Sequence, residues 1–205
     1  MVNATLDAIK KRRSITNFFS KSIDEKDLQV VLEAGRWAPS WLNMQPWKFI
    51  VVKDKSIRLD ASRILSTIFS STVKEAPVFI AICVNPEINP YHFIEEGAAV
   101  TQNMALVAQS IGLGTIWIGA FSLNNEKNST EQKLKNILKI PKKWRLISLL
   151  PLGYPKFRGH KTRKELNEIV DWNYFFDREK KITPQEVTQK DSIKKILTPT
   201  STPPI

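Results

Sequence analysis

One cysteine, two histidines and seven glycines in 205 residues remove several chemistries before any motif is sought. The lone Cys83 cannot close an intrachain disulfide, and its place in the apolar run 78–84 makes it a small core residue. Nothing therefore points to an oxidising compartment. His92 and His160 have no carboxylate or cysteine at ligand spacing, so neither suggests a metal site. Neither G-x-G-x-x-G nor G-x-x-x-x-G-K-S/T occurs, which argues against a separate Rossmann or P-loop domain; any nucleotide is held some other way. The apolar runs stop well short of the ~18 residues of a membrane span and the N-terminus lacks a signal-peptide core, so the expectation is a cytoplasmic protein with no membrane partner. Acidic residues are the scarcer charge, 20 against 31 basic, giving a net +11. Such a balance suits nucleic acid, an acidic surface or phosphorylated small molecules.

What is present is 42% hydrophobic residues, enough for a substantial core, and the length fits one domain with a short tail. Leu6 and Ile9 suggest a short amphipathic helix running into the basic cluster Lys10, Lys11, Arg12, Arg13, with Ser14 beside it. Adjacent guanidiniums and a hydroxyl make a good cradle for a terminal phosphate; the plain alternative is a solvated basic turn. A second helix starts after Ser22 or Asp24 and continues through Leu28, Val31 and Leu32 to Gly35. It delivers the stretch around which the chain is organised, P-S-W-L-N-M-Q-P-W, where Pro39, Ser40, Trp41, Asn43 and Gln45 form a polar, stiffened loop before a buried strand, 48–52. Such a loop can grip a flat heteroaromatic ligand by its edges, or its polar groups can simply cap one another.

Downstream, 56–73 has weak helical periodicity and 77–84 reads as a second buried strand. Residues 91–111 form a long, mostly uncharged helix that must be covered on nearly every side, and its small residues suit a subunit interface. Glu95 and Glu96 near its start read as charges suited to the helix dipole. Gly112 and Gly114 end that helix, and 115–118 reads as a third strand ending at Gly119. In a surface helix over 124–138, Glu126, Lys127, Glu131, Lys133 and Lys135 are expected outside, with Leu134, Ile137 and Leu138 inside. A fourth strand, 144–152, precedes a second basic group, 156–164. Beyond Asp171 come an aromatic W-N-Y-F-F segment and a Thr/Pro-rich end, 198–205, whose composition is that of disorder.

Three motifs in order, R-R-S-I-x-x-F, P-S-x-x-N-x-Q-P-W and Q-N-M followed by G-L-G-T-I-W-I-G, resemble the flavin-dependent nitroreductase family over roughly residues 6–170. The resemblance implies an α+β fold, a mainly antiparallel sheet of four or five strands flanked by helices, in an intertwined homodimer; pattern alone would equally admit a parallel sheet. It implies an FMN-binding domain, 1–170, followed by an extension, 171–205, that wraps the partner subunit. It gives Arg12, Arg13 and Ser14 the flavin phosphate and ribityl chain. Thr16 stands where the family usually carries another basic side chain, one positive charge fewer beside the cofactor. Lys74 can face the flavin pyrimidine, the backbone of Ile118 and Gly119 faces flavin N5, and Lys161 and Arg163 in K-T-R-K-E-L reach the phosphate. Pro39, Ser40, Trp41, Asn43 and Gln45 complete the set, with the P-S-x-x-N loop reaching the flavin bound mainly by the other subunit.

The implied activity is an oxidoreductase passing hydride from NADH or NADPH through flavin N5 to a nitroaromatic, quinone or similar acceptor. The cofactor carries that chemistry, which agrees with a sequence showing no convincing triad, metal cluster or carboxylate pair. Divergent flavin chemistry such as dehalogenation has no additional motif here. A basic nucleic-acid-binding module is the alternative from another class, but Trp37, Trp41, Trp47, Trp117 and Trp144 lie in or beside apolar runs, where core packing is the simpler account, and no recognised binding motif appears.

Overall fold

The computed structural model describes residues 3–124 and 126–175. The chain divides into two compact units, Met1–Arg158 and Gly159–Ile205. Of the expected disordered end, nothing falls among the described residues.

The first unit is built on an antiparallel sheet whose strands are β1 (Trp47–Val52), β2 (Val78–Val84), β3 (Gly114–Thr115), β4 (Ile118–Gly119) and β5 (Arg145–Gly153). They lie in the order β1-β2-β5-β3, with β4 also pairing β5, so the sheet has five strands. All seven residues of β2 are buried, because both its faces are covered. Side chains alternate across a strand, and β2 splits accordingly: Val78, Ile80 and Ile82 join a core with Leu28, Val31 and Met104, while Phe79, Ala81 and Cys83 join another with Leu134, Leu146 and Leu149. Burial pushes the Cys83 thiol up to about 12, which leaves it an inert core residue.

Six helices flank this sheet: α1 (Ala4–Lys11), α2 (Glu25–Arg36), α3 (Lys55–Ile64), α4 (Thr67–Glu75), α5 (Phe93–Ser110) and α6 (Thr130–Ile137). Their starts follow ordinary capping chemistry. Asn3, Asp54 and Ser129 each accept a hydrogen bond from the third backbone N–H of the following turn. Asp24 occupies the cap position of α2 without a side-chain bond. A Cβ at Gly35 would lie 3.1 Å from Met104 Cγ and 3.2 Å from Phe49 Cζ, so glycine eases the close approach of α2 to α5.

Four sequence expectations are corrected. The weak helix 56–73 is two helices, α3 and α4, and the third strand is two short ones, β3 and β4, both held by β5. The helix expected over 124–138 begins at Thr130, and its charges do not all face water. Glu131 and Lys135 are buried, because Arg145 on β5 donates to Glu131 at 2.7 and 2.9 Å while Lys135 Nζ donates to the carbonyls of Lys142 and Trp144. Finally, of the tryptophans assigned to the core, only Trp47 and Trp144 pack against it; Trp37, Trp41 and Trp117 are exposed.

In the second unit, α7 (Leu166–Ile169) is one turn closed by a capping box, in which Glu165 Nα donates to the Glu168 carboxylate at 3.1 Å.

Candidate active site

The segment following α1 is stitched to the sheet. Ser14 forms a parallel bridge with Thr115, and Ile15 N–H donates to the Thr115 carbonyl at 2.9 Å. Ile15 and Phe18 point into the core, while Thr16 is half-buried and Ser14 exposed. The R-R-S motif is thereby brought beside β3 and the β4 turn. Arg12 ends α1, its N–H on the Ala8 carbonyl; Arg13 folds back and donates Nη1 to the carbonyls of Lys10 and Arg12.

Two features at this junction suit a flat ligand. Thr115 Oγ1 is buried and has no hydrogen-bond partner, a state that costs about 1–3 kcal/mol unless a ligand or water satisfies it. Gly119 is exposed, and a Cβ built there meets nothing within 4 Å, so open space lies over its backbone, whereas the neighbouring Ile118 side chain is buried and anchors the strand.

The loop 39–45 is held by a different neighbour. Its short 3-10 turn, Trp41–Asn43, contains Leu42 at φ 48°, followed by Asn43 at 57° and, beyond Met44, Gln45 at 50°. A left-handed leucine is costly, of order 1–3 kcal/mol, and persists only where surrounding bonds over-determine it. Those bonds are visible. Ser40 Oγ accepts from Gln45 N–H at 3.0 Å, Gln45 Nε2 donates to the Asn43 carbonyl at 3.1 Å, and Trp41 N–H donates to Glu96 Oε1 at 2.8 Å. Glu96, only 4% exposed, also accepts from the buried Asn89 Nδ2 at 2.8 Å. Asn89 Oδ1 in turn accepts from Tyr91 and His92 N–H, and the His92 ring lies 5.9 Å from that of Trp41. The sequence reading took Glu96 for a helix-dipole charge; it is the post to which the loop is tied. No local pattern distinguishes such a glutamate from any other first-turn acid. Thr115 was likewise missed, since its importance comes from the Ser14 bridge.

The remaining predicted residues lie elsewhere. Lys74, on the last turn of α4, lines a cavity with Lys55, Arg58 and Lys156 rather than joining Ser14 or Gly119. Lys161 and Arg163 belong to the second unit, where both are exposed and Arg163 Nη1 donates to the Thr162 carbonyl. Among the described residues, no group of three or more His, Cys, Asp or Glu is placed to hold a metal ion, and no helix is long and apolar enough to cross a membrane.

Residues 9–75 and 61–154 match the family model described as the nitroreductase family. The chain belongs to that family. A putative NADH dehydrogenase/NAD(P)H nitroreductase of Archaeoglobus fulgidus is 31% identical over 154 residues, covering 74% of this chain and 85% of the relative. Among solved structures, the FMN-dependent nitroreductase of Clostridium difficile R20291 superposes with a TM-score of 0.76 at 26% identity, covering 83% of this chain and 99% of that one. A putative nitroreductase of Desulfovibrio desulfuricans in complex with FMN gives 0.72 at 27% identity, with coverages of 85% and 99%. In this nitroreductase, the R-R-S segment, the G-T-I-W-I-G strands and the P-S-x-x-N loop are each held by identifiable bonds in the first unit.

Proposed function

We propose that this nitroreductase is an FMN-dependent oxidoreductase that uses NADH or NADPH to reduce a nitroaromatic, quinone or similar acceptor. The observation that carries the reading is the Ser14–Thr115 bridge, which sets the phosphate-type R-R-S segment against strands ending at the open backbone of Gly119. FMN, when bound, supplies the redox chemistry by accepting hydride at N5 and returning electrons to the acceptor. The names of the relatives, NAD(P)H nitroreductase and FMN-dependent nitroreductase, support the same donor and cofactor.

In this reading Arg12, Arg13 and Ser14 hold the phosphate through charge-assisted bonds, and a phosphate role for Lys161 and Arg163 rests on the resemblance of K-T-R-K-E-L alone. Ile118 and Gly119 present main chain to the ring, where an N–H stabilises the negative charge of the reduced form. Thr16 and the Thr115 hydroxyl serve the ribityl chain and ring edge without a positive charge. Lys74, which lines a cavity with Lys55, Arg58 and Lys156, has no part in this reading. Pro39, Ser40, Trp41, Asn43 and Gln45 form a wall that orients the acceptor and excludes water. The setting we assign is the cytoplasm, where a protein with one buried thiol needs no oxidative maturation.

We further propose that the working form is a homodimer with composite sites, the 39–45 loop acting in trans. Exposed Trp37 and Leu42, 72% and 73% accessible, and the half-open face of α5 at Ala98, Ala99, Leu106 and Val107 support an apolar interface.

Heat release of the bound flavin followed by chromatography tests the cofactor: FMN is expected, and FAD alone, or no flavin after reconstitution with FMN, would overturn the reading. For the dimer, inactive Arg12→Ala and Asn43→Ala chains are mixed under conditions allowing subunit exchange. Shared sites restore one intact site per heterodimer and activity towards half of normal; no recovery despite demonstrated exchange places both residues in one chain's site.

A further inference from the structure

A cavity of about 410 Å³ opens where the N-terminal segment, α3, α4 and the end of β5 meet. Four segments each send cations to it: Lys21 from the loop before α2, Lys55 and Arg58 from α3, Lys74 from α4, and Lys156 from beyond β5. Glu75 is the one carboxylate on its wall. Among the described residues none of the four lysines forms an ion pair, although Lys53, Arg36 and Arg63 nearby in sequence all do. Converging like charges repel, so an arrangement of five cations around one acid is stabilised by whatever anion it takes up.

Arg58 shows that the basin is built rather than accidental. Its Nη1 donates to the carbonyls of Lys74 at 2.9 Å and Ala76 at 2.6 Å, fixing the guanidinium across the end of α4, while its Nε is buried with no partner. A buried guanidinium N–H without an acceptor costs more than a neutral donor would, which adds to the uncompensated positive charge at the cavity wall. Lys21 is held by the Tyr154 ring, 4.3 Å from its centroid, which leaves its charge at the rim. Hydroxyls of Ser20 and Ser22 add neutral donors, and the half-buried Pro77 gives the wall an apolar patch. The volume falls in the range of small-molecule sites.

We propose that this basin binds a small phosphorylated molecule, a phosphomonoester whose headgroup meets Arg58, Lys55 and Lys74 and whose organic body rests on Pro77. None of the residues that hold FMN in the proposed function lines it, so the site does not depend on the flavin reading.

The test titrates the full chain, saturated with FMN so that its phosphate site is filled, with phenyl phosphate and with inorganic orthophosphate at constant ionic strength, using calorimetry. Phenyl phosphate is expected to bind saturably at one site per chain and at least fivefold more tightly than orthophosphate. The double variant Lys55→Ala/Lys74→Ala, both exposed side chains whose loss leaves the fold intact, should weaken phenyl phosphate at least tenfold. Arg58→Gln should weaken it as well, and if that variant fails to fold the lysine pair alone decides. Arg12→Ala, with FMN raised until its flavin site is saturated, should bind phenyl phosphate as the FMN-saturated parent chain does, which separates this site from the flavin phosphate. Three results would each overturn the proposal: no saturable binding, equal affinity for the two probes, or an unchanged affinity in the lysine double variant.

Discussion

Replacing Glu96 with alanine tests how the 39–45 loop is held. The carboxylate is 4% exposed, and its Oε1 accepts from Trp41 N–H and Asn89 Nδ2, both at 2.8 Å. Alanine strands two donors. Trp41 N–H, only partly buried, recovers water and loses about 1 kcal/mol, whereas Asn89 is fully buried and its amide loses about 2 kcal/mol. Against this, Glu96 Oε2 is buried without a partner, and its removal returns about 1 kcal/mol. The net expectation is about 2 kcal/mol, comparable to the left-handed strain at Leu42 that these bonds help to hold. Local opening of the loop should therefore rise about thirtyfold, read as faster hydrogen exchange at the Trp41 amide. Glu96→Gln keeps the accepting oxygen and should retain most of the protection. Trp41 exchange unchanged in the alanine variant, or faster in glutamine than in alanine, would refute the assignment of Glu96 as the tether.

Glu131→Ala should destabilise the fold by about 3–5 kcal/mol in urea, because it leaves Arg145 charged and unpaired beside β5. The same pair gives an acid limb. Burial alone would raise the Glu131 carboxyl, but the Arg145 side chain and the N–H groups of Ser122 and Leu146 outweigh it and hold the value below its ordinary 4.5. Its stability is thus present above about pH 4.5 and lost as pH falls through the lower folded value, so Glu131→Gln should flatten the stability profile there. Arg12→Ala and Arg163→Ala should each weaken FMN by about 1.5–3 kcal/mol in a fluorescence titration, with Lys133→Ala as the silent control.

Much of this architecture is legible because the signals are local. β2 is a continuous apolar run with both faces covered, and α2 and α5 carry helical periodicity over three or more turns. The polar loop between Pro39 and Gln45 announces itself by composition. Its backbone does not, since leucine gives no warning of a positive φ and the cause is a glutamate on another helix. Glu131 and Lys135 misled for a related reason: spaced i and i+4, they look like a solvated pair, whereas each is claimed by groups around the start of β5. The exposed tryptophans reverse the usual inference from apolar type to core. Burial in one chain is not what their sequence neighbours report; of the three, Trp37 belongs to the interface of the homodimer we propose.

Helix α5 joins the two halves of the candidate site, and that leads to a last expectation at Gly97. Glu96 in its first turn holds the loop; Thr101, five residues on and about 7.5 Å along the axis, shares a hydrogen bond with Ser148, the β5 residue paired with Gly119. Between them, a Cβ at Gly97 would lie 2.6 Å from Ile147 Cγ1 and 3.0 Å from its Cγ2. Ile147 cannot easily yield, because it is buried and its carbonyl accepts from Ala120 and Phe121 as the chain leaves β4. Gly97→Ala should therefore lift α5 from β5 at a cost of about 1–3 kcal/mol. A lift moves both attachments together, so amide exchange should accelerate at Trp41 and at Ala120 in the same variant. Faster exchange at one amide with the other unchanged would show that the loop and the strand are supported separately, and that α5 does not couple them.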